Sequence, residues 1–348
     1  MSTRMFAITP SGANMVPMYC KRLIRPIIGA VRIFLLALTL VASAAWSQES
    51  YPSRSVRLVI DTSPGGVTDL FGRLVAEALT PRLGQTMYVD NKPGASGNVA
   101  IDFLVRSPPD GYTLMIASGG GLVVKPFLER GLAFDVMNDL VPICNVAEVA
   151  HILVVPASVP AKDVADFIAW AKAQPGKVYY GSAGIGSPPH LSMELFARTA
   201  GLKLVHVPYK GVGGALPDLL AGRVQIMSMA IGSARPYLKT GQLRPLAAGA
   251  KHRLTNLPDV PTAAEAGVAA WEMSAWFGVF APRGTSGEIV RLLNQHLQAV
   301  LEDPKMRERL HDAGAEPVGG SPESFAERYR ADHRMWGQFI REIGLKTE

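Results

Sequence analysis

The sequence predicts an α/β fold in which mostly parallel strands alternate with helices in two lobes. Three observations carry that prediction. Short apolar runs alternate with stretches of helical spacing along the chain after residue 50. Glycine-rich loops recur where such a run meets the next helix. A length of 348 residues, 48% hydrophobic and 18% charged, suffices for two lobes with cores of their own and is not a disordered composition. Strands that alternate with helices pair in parallel and are covered on both faces.

In chain order, residues 56–60 read as a strand. The loop 61–67, with Pro64, Gly65 and Gly66, leads to a helix capped by Thr68 or Asp69 that carries Leu70, Phe71, Leu74, Val75, Ala78 and Leu79 on one face. Residues 87–89 are a second strand, and the turn 93–97 opens a helix through Phe103. Pro108, Pro109, Asp110 and Gly111 make a turn before strand 113–117, which ends in Ser118, Gly119, Gly120 and Gly121. The middle third repeats this grammar: strand 152–155 closed by Pro156, a helix through Val164, Phe167, Ile168 and Ala171, strand 178–181, loop 182–189 and helix 190–198. Strand 204–207, a helix through Ala215, Leu216, Leu219 and Leu220, and strand 226–230 follow. The last third holds strands 243–248 and 276–281, then helices marked by Ile289, Val290, Leu293, Leu297 and Val300 and by Phe325, Tyr329, Trp336, Phe339 and Ile340.

The net charge of +6 belongs to the first 47 residues, which hold Arg4, Lys21, Arg22, Arg25 and Arg32 and no acid. Without those five, 30 basic residues face 29 acidic ones, so no basic stripe for nucleic acid is expected in the folded part. Lys21, Arg22 and Arg25 precede an uncharged stretch, residues 33–47, too short to span a bilayer and ending in small residues, among them Ala42, Ser43 and Ala44. That pattern reads as a secretory signal peptide over 1–47, cleaved near 44–47, and hence as export to the periplasm. The mature chain then keeps Cys144 alone, which excludes an internal disulfide and a cysteine-built zinc site.

The loop 63–69 places glycines before a helix start, where the backbone can approach a ligand and unpaired N–H groups and the dipole favour an anion. The loop 182–190 repeats this with Ser182, Gly184, Gly186, Ser187 and His190. Each is also an ordinary strand-to-helix turn. Together they suggest a cleft at the carboxyl ends of parallel strands, with residues 118–121 as a third edge and Tyr209 as a wall. Core packing is the default for Trp271 and Trp276. Lys210 reads as a surface residue. Ser187 and His190 do not sit in a nucleophile elbow, no phosphate-binding G-x-x-x-x-G-K-[ST] occurs, and the seven histidines lack metal spacing. No catalytic residue, metal or cofactor is assigned.

Taken in order, the stretches YPSRSVRLVI, SPGGVTD, LGQTMYVDNKPGASGNVA, PPDGYTLMIAS, HVPYKGVGGALPDLLAGRV, LPDVPTAAEAG, WFGVFAP and GAEPVGGSPESF make the chain resemble the Bug-type solute receptors of tripartite tricarboxylate transporters, from Tyr51 to about Lys346. The resemblance implies a type II periplasmic-binding-protein fold of Venus-flytrap form: lobe 1 over 48–152 plus 275–348, lobe 2 over 153–274, and a ligand cleft between them. The crossings are expected near 149–156 and 273–281. It implies a small carboxylate ligand, membrane permease subunits as partners, and a monomer. A sensory co-receptor is the alternative; a secreted hydrolase is disfavoured. By motif, the resemblance assigns Gly65, Gly66, Thr68 and Asp69 to the first loop, Ser118 and Gly119 to the second, and Ser182, Gly184, Gly186, Ser187 and His190 to the third. The chain departs from the pattern at Asp61-Thr62-Ser63 (Pro-Phe-Ala in the family), at Val67 (Ser) and at Met229-Ala230 (Phe-Asp). Val67 suggests a less polar pocket. Ala230, standing where the family's Asp can meet an amino group, lowers the expectation of an amino-acid ligand. Asp61 either points away or favours a ligand with a donor group.

Overall fold

The computed structural model describes residues 51–129 and 131–345, so the expected signal peptide lies outside the described residues. The first α/β units are β1 (Val56–Ile60), α1 (Val67–Leu83), β2 (Met87–Asn91), α2 (Asn98–Val105) and β3 (Thr113–Ser118). β1 pairs in parallel with both β2 and β3. Val56, Leu58, Val59 and Ile60 are all buried, as a strand covered on both faces requires. On α1, Phe71, Leu74, Val75 and Leu79 face the core, the spacing of one helical stripe.

A short helix α3 (Val136–Asp139) precedes β4 (Leu140–Pro156). Then come α4 (Val164–Lys172), β5 (Tyr179–Ser182), α5 (Pro188–Ala200), β6 (Val205–Pro208), α6 (Val212–Leu220), β7 (Ile226–Ala230), α7 (Ile231–Lys239) and β8 (Leu243–Ala248). β9 (Ser274–Pro282), α8 (Gly287–Leu301), α9 (Pro304–Asp312), β10 (Glu316–Gly319) and α10 (Pro322–Glu342) complete the described chain.

Strand β4 joins two halves of the sheet. Its first part pairs antiparallel with β9, down to Ala150 opposite Ser274, and with β10. From His151 onward it pairs antiparallel with β7 and β8, and β5 pairs in parallel with β6 and β7. The order β2-β1-β3-β9-β4-β7-β5-β6 is therefore mixed rather than mostly parallel: the parallel α/β units lie outside and antiparallel strands fill the middle. β4 is also far longer than the strand expected at 152–155. Pro142, Asn145, Glu148 and His151 recur every three residues and break the alternation of a strand. Register shifts between Pro142 and Cys144 and between Asn145 and Ala147 absorb the extra residues.

The second connection between the halves runs beside β4. His151 N–H donates to Met273 O (3.0 Å), Met273 N–H to Gly249 O (2.9 Å) and Gly249 N–H to His151 O (2.8 Å). A Cβ on Gly249 would stand 2.8 Å from both N and O of Met273, so this backbone approach requires glycine. The buried His151 places Nδ1 3.1 Å from Ser228 Oγ, which lies 2.6 Å from Ser192 Oγ, while Trp271 Nε1 donates to Ser192 Oγ at 3.0 Å. This chain of bonds ties the crossing to α5.

Candidate functional site

A cavity of about 740 Å³ lies where the two halves meet. One wall is made of the segments that follow the carboxyl ends of β1, β2 and β3: Asp61 and Thr62, Gly94 and Gly97, and the run Ser118 to Gly121. Lys125, Leu128 and Glu129 extend it. The opposite wall is the loop after β5 with the start of α5: Ile185, Gly186, Ser187, Pro188 and Leu191. Met273 to Trp276 on the crossing, with Asp332 and Trp336 on α10, form the floor.

The floor is rigid. Trp276 is almost wholly buried, packs edge-on against Phe325 and Tyr329, and donates Nε1–H to Asp332 Oδ2 at 2.8 Å. Arg328 Nε donates to both oxygens of Asp332, 3.0 and 2.9 Å away, and so fixes the carboxylate that fixes the indole. The backbone at Gly119 comes so near that an added Cβ would lie 2.5 Å from the Trp276 ring.

On the loop after β5, local bonds use up the polar groups. Ser187 Oγ donates to Gly184 O (2.6 Å), and Ser187 N–H also points to Gly184 O (3.2 Å). Gly184 N–H donates to Ser182 Oγ (3.1 Å), and Ser182 Oγ is 2.7 Å from His206 Nε2. Gly186 N–H donates to His190 Nδ1 (3.0 Å), which leaves the ring proton on Nε2, 3.9 Å from Glu194 Oε1. His190 stacks on His206 with centroids 4.0 Å apart, and His206 stacks on Tyr180, whose hydroxyl donates to Glu194. Burial pushes His190 below the usual imidazole range and, with His190 beside it, holds His206 down at about 4, so both rings are neutral at pH 7. α5 opens with Pro188 and Pro189, which carry no N–H, so its first turn offers fewer donors than an anion site at a helix start would use.

The wall of β1 to β3 differs. Burial pushes Asp61 up to about 6, against its own backbone hydrogen bond and the pull of Lys125. Asp61 Oδ1 and Thr62 Oγ1 are buried and have no hydrogen-bond partner among the described residues. Lys125 Nζ lies 3.3 Å from both Ala95 O and Asn98 Oδ1 and 3.8 Å from Glu129 Oε1. Burial lowers its pKa.

Of the residues singled out from sequence as site candidates, Ser118 to Gly121, Gly186 and Ser187 line the cavity, as does Asp61, whose direction the sequence left open; the other candidates stand behind or beside it. Gly65, Gly66, Thr68 and Asp69 begin α1, whose N-cap is Gly66 rather than Thr68 or Asp69. The buried Asp69 carboxylate accepts from Arg73 Nε, Gly65 N–H and Asn91 Nδ2, each at 2.9 Å, and these bonds, Arg73 foremost, hold it down at about 2. It fastens the loop instead of facing the cavity. Val67 is exposed. Ser182, Gly184 and His190 shape the opposite loop from behind. Tyr209 donates its hydroxyl to Asp218 (2.7 Å), and Ala230 ends β7 opposite His151. Sequence reading passed over Gly94 and Gly97, Lys125 and Glu129, Trp276 as a floor, and Asp332 with Trp336. The last two are one helical turn apart on α10, a spacing that signals a shared face.

A second cavity of about 580 Å³ adjoins β10 and α10. Its cations are engaged, Arg253 with Glu265 and Arg328 with Asp332 and Glu148.

Two sheet halves joined by crossing strands, with a cavity where the strand ends of both halves converge, define a periplasmic-binding-protein-like solute receptor of two lobes. Over residues 71–345 the chain matches the tripartite tricarboxylate transporter family receptor, and it belongs to that family, as its resemblance implied. It is 34% identical over 307 residues to protein BugT of Bordetella pertussis, covering 88% of this chain and 94% of that protein. Among solved structures, Rpa4515 of R. palustris with adipate is 37% identical with a TM-score of 0.71, covering 85% of this chain and 100% of that one. MatC from Rhodopseudomonas palustris with bound malate is 31% identical with a TM-score of 0.66, covering 83% of this chain and 100% of that one.

Proposed function

We propose that this receptor, exported to the periplasm by the signal peptide at 1–47, captures a small carboxylate between its lobes and delivers it to the membrane permease of a tripartite tricarboxylate-type transporter. The lobes are 48–152 with 275–348, and 153–274. The carboxylate sits at Ser118 Oγ and the backbone of the glycine turn, within the field of Lys125, while the loop 185–188 closes over its carbon skeleton and Trp276 forms its floor. No residue performs a chemical step, and the protein acts as a monomer. The observation that carries this reading is the cavity itself: loops at the carboxyl ends of parallel strands from both halves line it. The adipate and malate held by two relatives support the ligand class. Burial between the walls would strengthen each hydrogen bond to the carboxylate by excluding water.

Thermal unfolding of the stripped, refolded protein against small carboxylates and their neutral amides tests the proposal. A bound acid at a hundred times its dissociation constant adds about 2.7 kcal/mol of stability. An upward shift with an acid and none with its amide is expected. No shift with any acid, or equal shifts with the amides, would refute the carboxylate assignment.

A further inference from the structure

Buried polar oxygens find partners in folded proteins, and one left without a partner marks a place where a ligand or water completes the set. Asp61 Oδ1 and Thr62 Oγ1 are two such oxygens on adjacent residues, and both residues line the main cavity. They stand where the chain departs from its family's Pro-Phe-Ala pattern.

The charges around them narrow the choice of ligand. Asp61, Glu129, Asp332 and Lys125 are the charged residues of the lining. Asp332 is held by Arg328 and the Trp276 indole, and Glu129 accepts from Asn98 Nδ2 at 2.8 Å beside Lys125. The Lys125 amine is directed at that same group of oxygens. A second ligand carboxylate placed against Asp61 would bring two like charges together in a poorly solvated site. An O–H or N–H donor would instead complete Asp61 and Thr62.

The other oxygen of the same carboxylate, Asp61 Oδ2, stands near Ser118. A Cβ on Gly121 would stand 3.5 Å from Asp61 Oδ2 and 3.8 Å from Ser118 Oγ. Both groups thus border one small space, and an acid whose carboxylate meets Ser118 presents its neighbouring carbon to Asp61. We propose that Asp61, assisted by Thr62, selects small acids that carry a hydroxyl or ammonium group on the carbon next to the carboxylate. This rests on the carboxylate reading of the cavity.

Calorimetry on the stripped protein with two matched sets tests it: succinate, malate and aspartate, then butyrate, 2-hydroxybutyrate and 2-aminobutyrate. In at least one set the hydroxy or amino acid should bind about tenfold or more tighter than its parent acid, the ratio expected for a hydrogen bond to a charged group. Asp61→Asn, checked for folding by thermal unfolding, should erase most of the amino acid's advantage, and Thr62→Val should reduce it. Parent acids that bind as tightly as their derivatives, or an advantage that survives both substitutions, would overturn the proposal and leave a carboxylate receptor standing. If none of the acids binds, the carboxylate reading falls and takes this inference with it.

Discussion

On the wall built from β5 and α5, the polar groups of the loop have partners in Ser182, Gly184, His190 and His206, whereas on the wall built from β1 to β3 Asp61 Oδ1 and Thr62 Oγ1 have none among the described residues. The first is an inward-bonded surface that presents Ile185, Pro188 and Leu191. Its shape is settled before a ligand arrives, which lowers the ordering cost of binding. The second holds a carboxyl that burial disfavours, a local cost to stability that contact with a ligand can offset. Shape is set by one wall and chemistry is read by the other.

If the walls differ in this way, substitutions on them should shift stability in opposite directions. The largest effect belongs to His190. His190→Ala removes the acceptor of Gly186 N–H and one ring of the stack, and should cost about 2–4 kcal/mol in chemical denaturation. Affinity should fall as well, because the loop loses its fixed form. A cost near zero would mean that His190 does not hold this wall.

Asp61→Asn should act the other way, and pH exposes the reason. The native carboxyl titrates at about 6 against 3.8 for an ordinary one, so the folded protein holds a proton over that interval which the unfolded chain has released. The favourable contribution of Asp61 is full below pH 3.8 and is lost as pH rises through about 6. His151, which burial pushes down to about 4, works in the opposite sense: its contribution is present above the usual 6.5 and is lost as pH falls toward about 4. The two partly cancel in the parent protein. Asp61→Asn should be more stable than the parent by about 1–3 kcal/mol at pH 8 and should match it near pH 4. Equal stability at both pH values would contradict the strain assigned to Asp61.

The smallest effect sharpens the comparison most. The Ser187 hydroxyl proton is committed to Gly184 O, so it cannot also go to a bound carboxylate. Ser187→Ala should weaken binding by no more than about 1 kcal/mol, below the range for a bond to a charged group. A larger loss would mean that the hydroxyl turns to the ligand and that both walls read its chemistry.

The same contrast explains what was legible in the sequence. The parallel α/β units could be read because their apolar spacing is clean, as with the buried face of α1 and the run Val56 to Ile60. The middle of the sheet was not, since the register shifts in β4 displace Asn145 and Glu148 from any single period. α7 carries Gly232 and Pro236, residues that argue against a helix. α9 buries only Met306 and Leu310, too little for a periodic signal. At the site, glycine loops marked Ser118, Gly119, Gly186 and Ser187, but Asp61 was ambiguous, because a lone acidic residue after a strand reads equally as solvent-facing. Trp276 and Asp332 are brought together by β9 and α10 from 56 positions apart, a distance that no local pattern reports.

The most direct test is the crystal structure of the stripped protein reloaded with the tightest-binding acid. The ligand carboxylate is expected at Ser118 and the glycine turn, above Trp276, with a hydroxyl or ammonium group within hydrogen-bond distance of Asp61. A ligand seated elsewhere, or one whose carboxylate lies on the β5–α5 loop with Asp61 turned away, would contradict the division of roles between the two walls.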